Sequence, residues 1–324
     1  MKFKAFLLCA AIGCLLLFAG CEPNVNNGAG TTGTTPISTT PRATTTTSHT
    51  TTTTPHTTTT NETTAVGGTS STAFLFTART SFPSGFVPLS PNNLPNSSSA
   101  KKIGWGLGKD VDDKNRPADA LSAQQRYGGL NAVFIDSQTE NRIYLTFDEG
   151  YENGYTPQIL GALKEKGIKA TFFVTYDYCR SAPELIKRMI AEGHEVGNHS
   201  YSHPSFPDCS EREVRDEIQK LHDYVKDNFN YEMRLVRFPK GEFSEKTLSI
   251  AKELGYTSVF WSFAYVDWQT ENQPSAEEAY AKITSQSHQG AVILLHAVSK
   301  INAALMPDLL DFWIGSGLKP SLFE

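Results

Sequence analysis

From Arg142 to the C-terminus the chain alternates between short apolar runs and longer amphipathic stretches, and this alternation constrains the fold more than any other feature. Apolar runs rich in β-branched and aromatic residues read as buried strands, whereas apolar residues at three- and four-residue spacing read as one face of a helix. Strands are expected at Arg142–Phe147, Ala170–Thr175, Glu195–His199, Arg234–Phe238, Thr257–Trp261 and Ala291–Leu295. The helices between and after them are expected at Gln158–Lys166, Glu184–Glu192, Glu211–Phe229, Glu245–Leu254, Ala276–Ser285 and Asn302–Ile314. Repeated β-α units of this kind define an α/β fold with a parallel sheet, and about 220 residues suit a barrel better than two domains. Upstream, Lys102–Leu107 reads as an ordered arm anchored by Trp105, and Ala118–Tyr127 as a short helix. Ala132–Ile135 and Arg142–Phe147 read as a hairpin.

The residues before this region cannot build a core. Thr31–Thr64 is dominated by threonine with Pro, Ser and Gly, a composition that buries too little apolar surface to offset chain entropy. Residues 21–100 are therefore expected as a disordered linker, with Phe74, Phe76, Phe82 and Phe86 near its end. As a flexible coil such a segment spans on the order of 50 Å. Residues 1–20 have the form of an export signal: Lys2 and Lys4, then an apolar run from Phe6 to Phe18 too short to span a bilayer comfortably. That run ends in Leu17-Phe-Ala-Gly-Cys21, which resembles a bacterial lipobox, so Cys21 is expected to carry a lipid that holds the chain on the outer face of the membrane. The net charge of −5, with no basic stripe, argues against nucleic acid as a partner.

Unusual polar residues fall at one end of the expected strands. Asp148-Glu149, His199, Arg237, Asp267-Trp268 and His296 each lie at or just beyond a strand's C-terminal end, the rim that carries active sites in α/β barrels. Two adjacent carboxylates there repel each other and lose water, and a bound metal or a nearby arginine would offset that cost. His199 and His203 are four apart, so a helical turn would place both on one face as metal ligands. Two imidazoles and one carboxylate leave an open position for water, as catalytic zinc sites require. Arg237, set between apolar strand residues, suggests a buried carboxylate partner. His296 at the rim suits a general acid.

In order, Thr-Phe-Asp-Glu-Gly150, His-Ser-Tyr-Ser-His203, Arg-Phe-Pro-Lys-Gly241, Asp267-Trp268 and Leu-Leu-His296 resemble the five motifs of the NodB-type polysaccharide deacetylases, carbohydrate esterase family 4. The segments Gly150–Tyr155, Trp261–Trp268 and Leu294–Ser299 resemble the delta-lactam-biosynthetic subgroup, which deacetylates N-acetylmuramic acid in peptidoglycan. The resemblance implies a distorted (β/α) barrel over residues 101–324, the NodB homology domain, with metal-dependent N-deacetylase activity. Carried over residue by residue, it makes Asp148 the general base, oriented by Arg237, and His296 the general acid, tuned by Asp267. Glu149, His199 and His203 would hold a divalent metal ion, zinc before cobalt or manganese. Trp268 and Leu295 would line the acetyl pocket, and Tyr151 and Lys240 would meet the glycan.

Three positions depart from the family pattern: Glu149 stands for its second aspartate, Ala264 for the first aspartate of the fourth motif, and Lys240 for an aromatic residue. A lysine at position 240 suits the lactyl carboxylate that distinguishes muramic acid from glucosamine. Cys179 and Cys209 follow neighbouring strands in a chain read as exported, so a disulfide between them is one expectation. The chain is expected to act as a monomer on peptidoglycan or related glycans. A deacetylase of poly-N-acetylglucosamine or chitin oligomers, and a wall-binding module without catalysis, are the alternatives.

Overall fold

The structure, a computed structural model, describes residues 99–137 and 141–324. The expected export signal, Cys21 and nearly all of the expected linker, with its four phenylalanines, lie outside the described residues. In chain order the elements are β1 (Ile103–Gly104), α1 (Ala118–Tyr127), β2 (Ala132–Val133), β3 (Arg142–Glu149), α2 (Thr156–Glu165), β4 (Thr171–Val174), α3 (Tyr176–Ser181), α4 (Pro183–Ala191) and β5 (Glu195–Asn198). There follow α5 (Glu211–Phe229), β6 (Leu235–Val236), β7 (Glu242–Phe243), α6 (Glu245–Glu253), β8 (Thr257–Val259), α7 (Ala276–Ser285), β9 (Val292–His296), α8 (Lys300–Gly315) and β10 (Lys319–Pro320).

The β-α alternation is present at every expected step, and α5 and α7 occupy the residues their periodicity indicates. Their starts are set by local chemistry. Ser210 accepts a hydrogen bond from the Glu213 backbone N–H while the Glu213 carboxylate accepts one from the Ser210 N–H, and Ser275 and Glu278 do the same for α7. Asn230, in the left-handed conformation with φ 52°, stops α5.

The strands pair in parallel in the order β2-β8-β6-β5-β4-β3, with β9 and β10 on the other side of β3. A parallel bridge between Phe263 and Ile293 joins the segment after β8 to β9 and brings the sheet toward closure. The expected hairpin is not formed: β2 runs parallel to β8, with Ala132 opposite Ser258 and Val133 opposite Val259. The Gln124 side-chain oxygen takes the N–H groups of Phe134 and Ile135, so the ladder after β2 stops there. The arm is ordered as expected. Its β1 pairs antiparallel with β7, and Trp105 donates its indole N–H to the Trp261 carbonyl at 3.0 Å.

Because side chains alternate along a strand, each strand serves two cores. Tyr144, Phe173, Leu235, Val259 and Val292 point inward and pack together with Phe323. Leu145, Phe147, Phe172 and Val174 point outward into a larger core shared with the helices. Gly197 shows how tightly the inner face is filled. A Cβ there would lie 2.4 Å from the Phe173 ring, so only glycine fits opposite it.

Candidate active site

At the C-terminal ends of the inner face, Asp148 on β3 stands directly opposite His296 on β9. Asp148 accepts a 2.8 Å hydrogen bond from Arg237 Nη1 through Oδ1, and its Oδ2 lies 3.5 Å from His199 Nε2. Arg237 is fully buried and donates to the Val259 carbonyl at 3.0 Å, the Thr146 hydroxyl at 2.8 Å and the Phe260 carbonyl at 3.2 Å. Its guanidinium also lies 4.3 Å from the centre of the Phe173 ring. Four of the five N–H groups of the guanidinium are thereby engaged, and the carboxylate is held in one orientation. Burial alone would raise the Asp148 pKa, but the neighbouring groups, the Arg237 guanidinium foremost, outweigh it and hold the group below the usual carboxylate value. Thr146, two residues before Asp148 on the same face, was not singled out from the sequence. That two-residue spacing from Asp148 was the available signal.

His296 is held as firmly. Its Nδ1 meets Asp267 Oδ1 at 2.7 Å and its backbone N–H donates to Asp267 Oδ2 at 2.8 Å, which leaves Nε2 for the open side. Burial pulls this imidazole's pKa down, yet Asp267 prevails and raises it, so the protonated form is favoured. The Trp268 ring is half exposed and lies 5.5 Å from the His296 ring.

His199 and His203 meet, with ring centres 4.9 Å apart, although no helix carries them. The chain turns instead through Ser200 and His203, both in the left-handed region with φ 69° and 61°. Burial lowers both imidazole pKa values, that of His203 to about 4, which favours the neutral ring that can offer a lone pair. The Nδ1 of His199 is 2.9 Å from the Arg237 carbonyl, an arrangement that fixes the tautomer and leaves Nε2 as the ligand atom. These two imidazoles are the groups here that could offer lone pairs to a divalent ion.

Glu149 does not join them. It is the next residue on β3 and so lies on the opposite face, in register with Val174. There it is completely buried near Tyr178 and Glu152, both carboxylate oxygens lack a hydrogen-bond partner, and burial pushes its pKa well up. The expected third ligand is thus absent from the histidine pair, and no group of three His, Cys, Asp or Glu side chains able to hold a metal is found among the described residues.

Strand alternation also corrects Leu295. It is fully buried in the outer core with Phe147 opposite it, while Leu294 shares the inner face with His296. Tyr151 is exposed just beyond β3. Lys240 is exposed in the loop after β6, with φ 61°, and its charge contributes to depressing the His203 pKa. A non-glycine residue in that conformation costs about 1–2 kcal/mol, and such strain gathers where function requires it. Cys179 and Cys209 are both free thiols, so the disulfide expectation fails.

A parallel β/α sheet closing toward a barrel, with Asp148 opposite His296 and a histidine pair at its rim, has the groups a hydrolase needs. Residues 136–259 match the polysaccharide deacetylase family, and the chain belongs to it. It is 44% identical over 214 residues to an uncharacterized 30.6 kDa protein from Geobacillus stearothermophilus, covering 64% of this chain and 77% of that one. It is 41% identical over 213 residues to the peptidoglycan-N-acetylmuramic acid deacetylase PdaA of Bacillus subtilis, covering 64% and 79% of the two chains. The solved structure of Bacillus subtilis PdaA, a family 4 carbohydrate esterase, superposes with a TM-score of 0.64 at 38% identity, over 68% of this chain and 94% of that one. No helix among the described residues is long and apolar enough to cross a membrane.

Proposed function

We propose that the domain removes the acetyl group from N-acetylmuramic acid residues of peptidoglycan, the first step toward a muramic δ-lactam. The observation that carries this reading is the placement of Asp148 opposite His296, each locked by its own partner, Arg237 and Asp267. Asp148, held ionised, takes a proton from the attacking water. His296, held protonated, gives one to the departing amine from Nε2. A divalent ion, zinc before cobalt or manganese, held by His199 and His203 would polarise the acetyl carbonyl and acidify the water. The half-exposed Trp268 would offer apolar surface for the acetyl methyl, and the exposed Tyr151 would meet the glycan.

The choice of muramic acid rests on Lys240 and on similarity to PdaA. An exposed ion pair is worth only about 0–1 kcal/mol, but a lactyl carboxylate partly desolvated beside the site gains more. A stem peptide would convert that carboxylate to an amide and cancel its charge, so peptide-free strands are the substrate. We also infer that a lipid on Cys21 anchors the monomer outside the membrane, with the threonine-rich linker giving reach to the wall. Mass spectrometry of peptide-free peptidoglycan strands treated with the metal-loaded enzyme tests the substrate. Loss of acetyl from muramic acid is expected, with little from chitin oligomers, and Lys240→Ala should narrow the difference. Equal rates on both glycans, or an unchanged preference in Lys240→Ala, would refute the assignment and point to a deacetylase of N-acetylglucosamine polymers. No turnover on any glycan would favour a binding module.

A further inference from the structure

One buried amide touches both halves of the acid pair without reaching the site. Asn302, at the first turn of α8, is fully buried. Its side-chain nitrogen donates to Asp267 Oδ2 at 2.6 Å and to the His296 backbone carbonyl at 3.1 Å, while its oxygen accepts from the Tyr265 hydroxyl. Its own backbone N–H is taken by the Ser299 hydroxyl at 3.1 Å. Both donors and the acceptor of the amide are therefore engaged, and the opposite amide orientation would set its oxygen against the Asp267 carboxylate. A buried asparagine costs stability unless its groups are paired, and here each pairing runs to the segment that carries the acid. Tyr265 and Asp267 come from the loop after β8, His296 from the end of β9, and Asn302 from α8.

We propose that Asn302, oriented by Tyr265, is a positioning residue for the deacetylation, acting through Asp267 to aim the His296 Nε2 at the leaving amine. The proposal rests on the reading of His296 as general acid. The Asp267 carboxylate receives three hydrogen bonds: two come from His296 itself, and the third from Asn302. Without it the carboxylate can swing with the imidazole, and the His296 carbonyl keeps only the 3.2 Å hydrogen bond from the Ser299 N–H. Since the amide meets no substrate, its loss should lower kcat and leave KM unchanged.

The test is a set of substitutions in the full chain supplied with zinc, read by turnover on muramic strands and by the downfield proton resonance of the His296–Asp267 hydrogen bond. Asn302→Leu should lower kcat by about 10- to 100-fold, the range seen when a partner that orients a functional histidine is lost. Its downfield proton resonance should shift or broaden. Tyr265→Phe, a milder change, should lower kcat by about threefold to tenfold, the scale of one hydrogen bond. In a His296→Ala background neither substitution should cost anything further. Equal losses with and without His296 would assign Asn302 a structural role alone and overturn the proposal while leaving the acid assignment intact. Full activity of His296→Ala by itself would overturn both. If Asn302→Leu fails to fold, Tyr265→Phe decides: a loss confined to the His296-containing enzyme supports the proposal, and no loss refutes it.

Discussion

Replacing Arg237 by methionine removes the centre of the site's charge arrangement while nearly keeping its volume. The structure states what is lost. Asp148 is left buried without its 2.8 Å partner, and the Val259 and Phe260 carbonyls and the Thr146 hydroxyl lose their donors. Removing one member of a buried ion pair costs about 3–5 kcal/mol, because the other charge stays desolvated. With a urea slope of about 2–3 kcal/mol per molar for a domain of this size, the unfolding midpoint should fall by about 1–2 M. The charge of Arg237 is the main influence opposing burial at Asp148, so in its absence the pKa of Asp148 rises and the base is protonated over more of the pH range. Activity near neutral pH should fall with stability. The diagnostic variant is the double substitution Arg237→Met with Asp148→Asn, which removes the unpaired charge as well. It should recover part of the lost midpoint, although it stays inactive. Urea unfolding followed by circular dichroism, with chelator present, measures each variant. A single variant within about 0.3 M of the parent, or a double variant that loses the full sum of the two single losses, would refute the view of Arg237 as the counter-charge of Asp148.

Three further outcomes follow from the site. His199→Ala should lose the bound divalent ion in equilibrium dialysis while the far-ultraviolet spectrum stays that of the parent. Glu149→Gln should hold the ion within about threefold of the parent, because the Glu149 side chain lies on the other face of β3; a loss as large as that of His199→Ala would make Glu149 a ligand. Asp267→Asn removes the charge that raises the His296 pKa above its ordinary 6.5. His296 works protonated, so activity persists below its pKa and fades above it, and the alkaline limb of kcat/KM should move to lower pH. A limb that stays in place would remove Asp267 from this role.

Much of the domain was legible because the longer helices declare themselves by their own chemistry, whereas the six-residue α3 carries no such pattern. The capping boxes at Ser210 and Ser275 and the three- and four-residue spacing of apolar positions in α5 and α7 set their bounds without help from the rest of the fold. The rim was legible for a related reason, since a charged residue at the end of an apolar run has few places to go but the open end of a barrel. The pairing of β2 was not, because a two-residue strand carries no pattern that distinguishes a hairpin from a parallel neighbour. Just beyond it Gln124, a side chain on α1, takes the N–H groups of Phe134 and Ile135 and ends the ladder. The histidine pair was found for an incomplete reason. A spacing of four brings two side chains together in a helix, yet here a turn through two left-handed residues does so.

The departures at Glu149 and Leu295 share one cause, the phase of a strand. Ile293-Leu-Leu-His296 is apolar up to its last residue because β9 is covered on both faces, and such a run has no alternation from which to read which side chain points where. Phase must be counted from a residue whose direction is known. Counting back two from His296 reaches Leu294, and Leu295 falls on the other side. At Asp148 and Glu149 the same rule forces opposite faces, provided the strand runs through both. It does so because Glu149 stays in register with Val174 and its carbonyl accepts from the Thr175 N–H at 3.1 Å. Were β3 to end one residue sooner, Glu149 would be released from the alternation and its carboxylate could turn toward His199 and His203. Strand ends are uncertain from sequence by more than that single residue. The role of this one carboxylate therefore depends on a hydrogen bond from the neighbouring strand's end, and Thr175 is the residue through which that role could be changed.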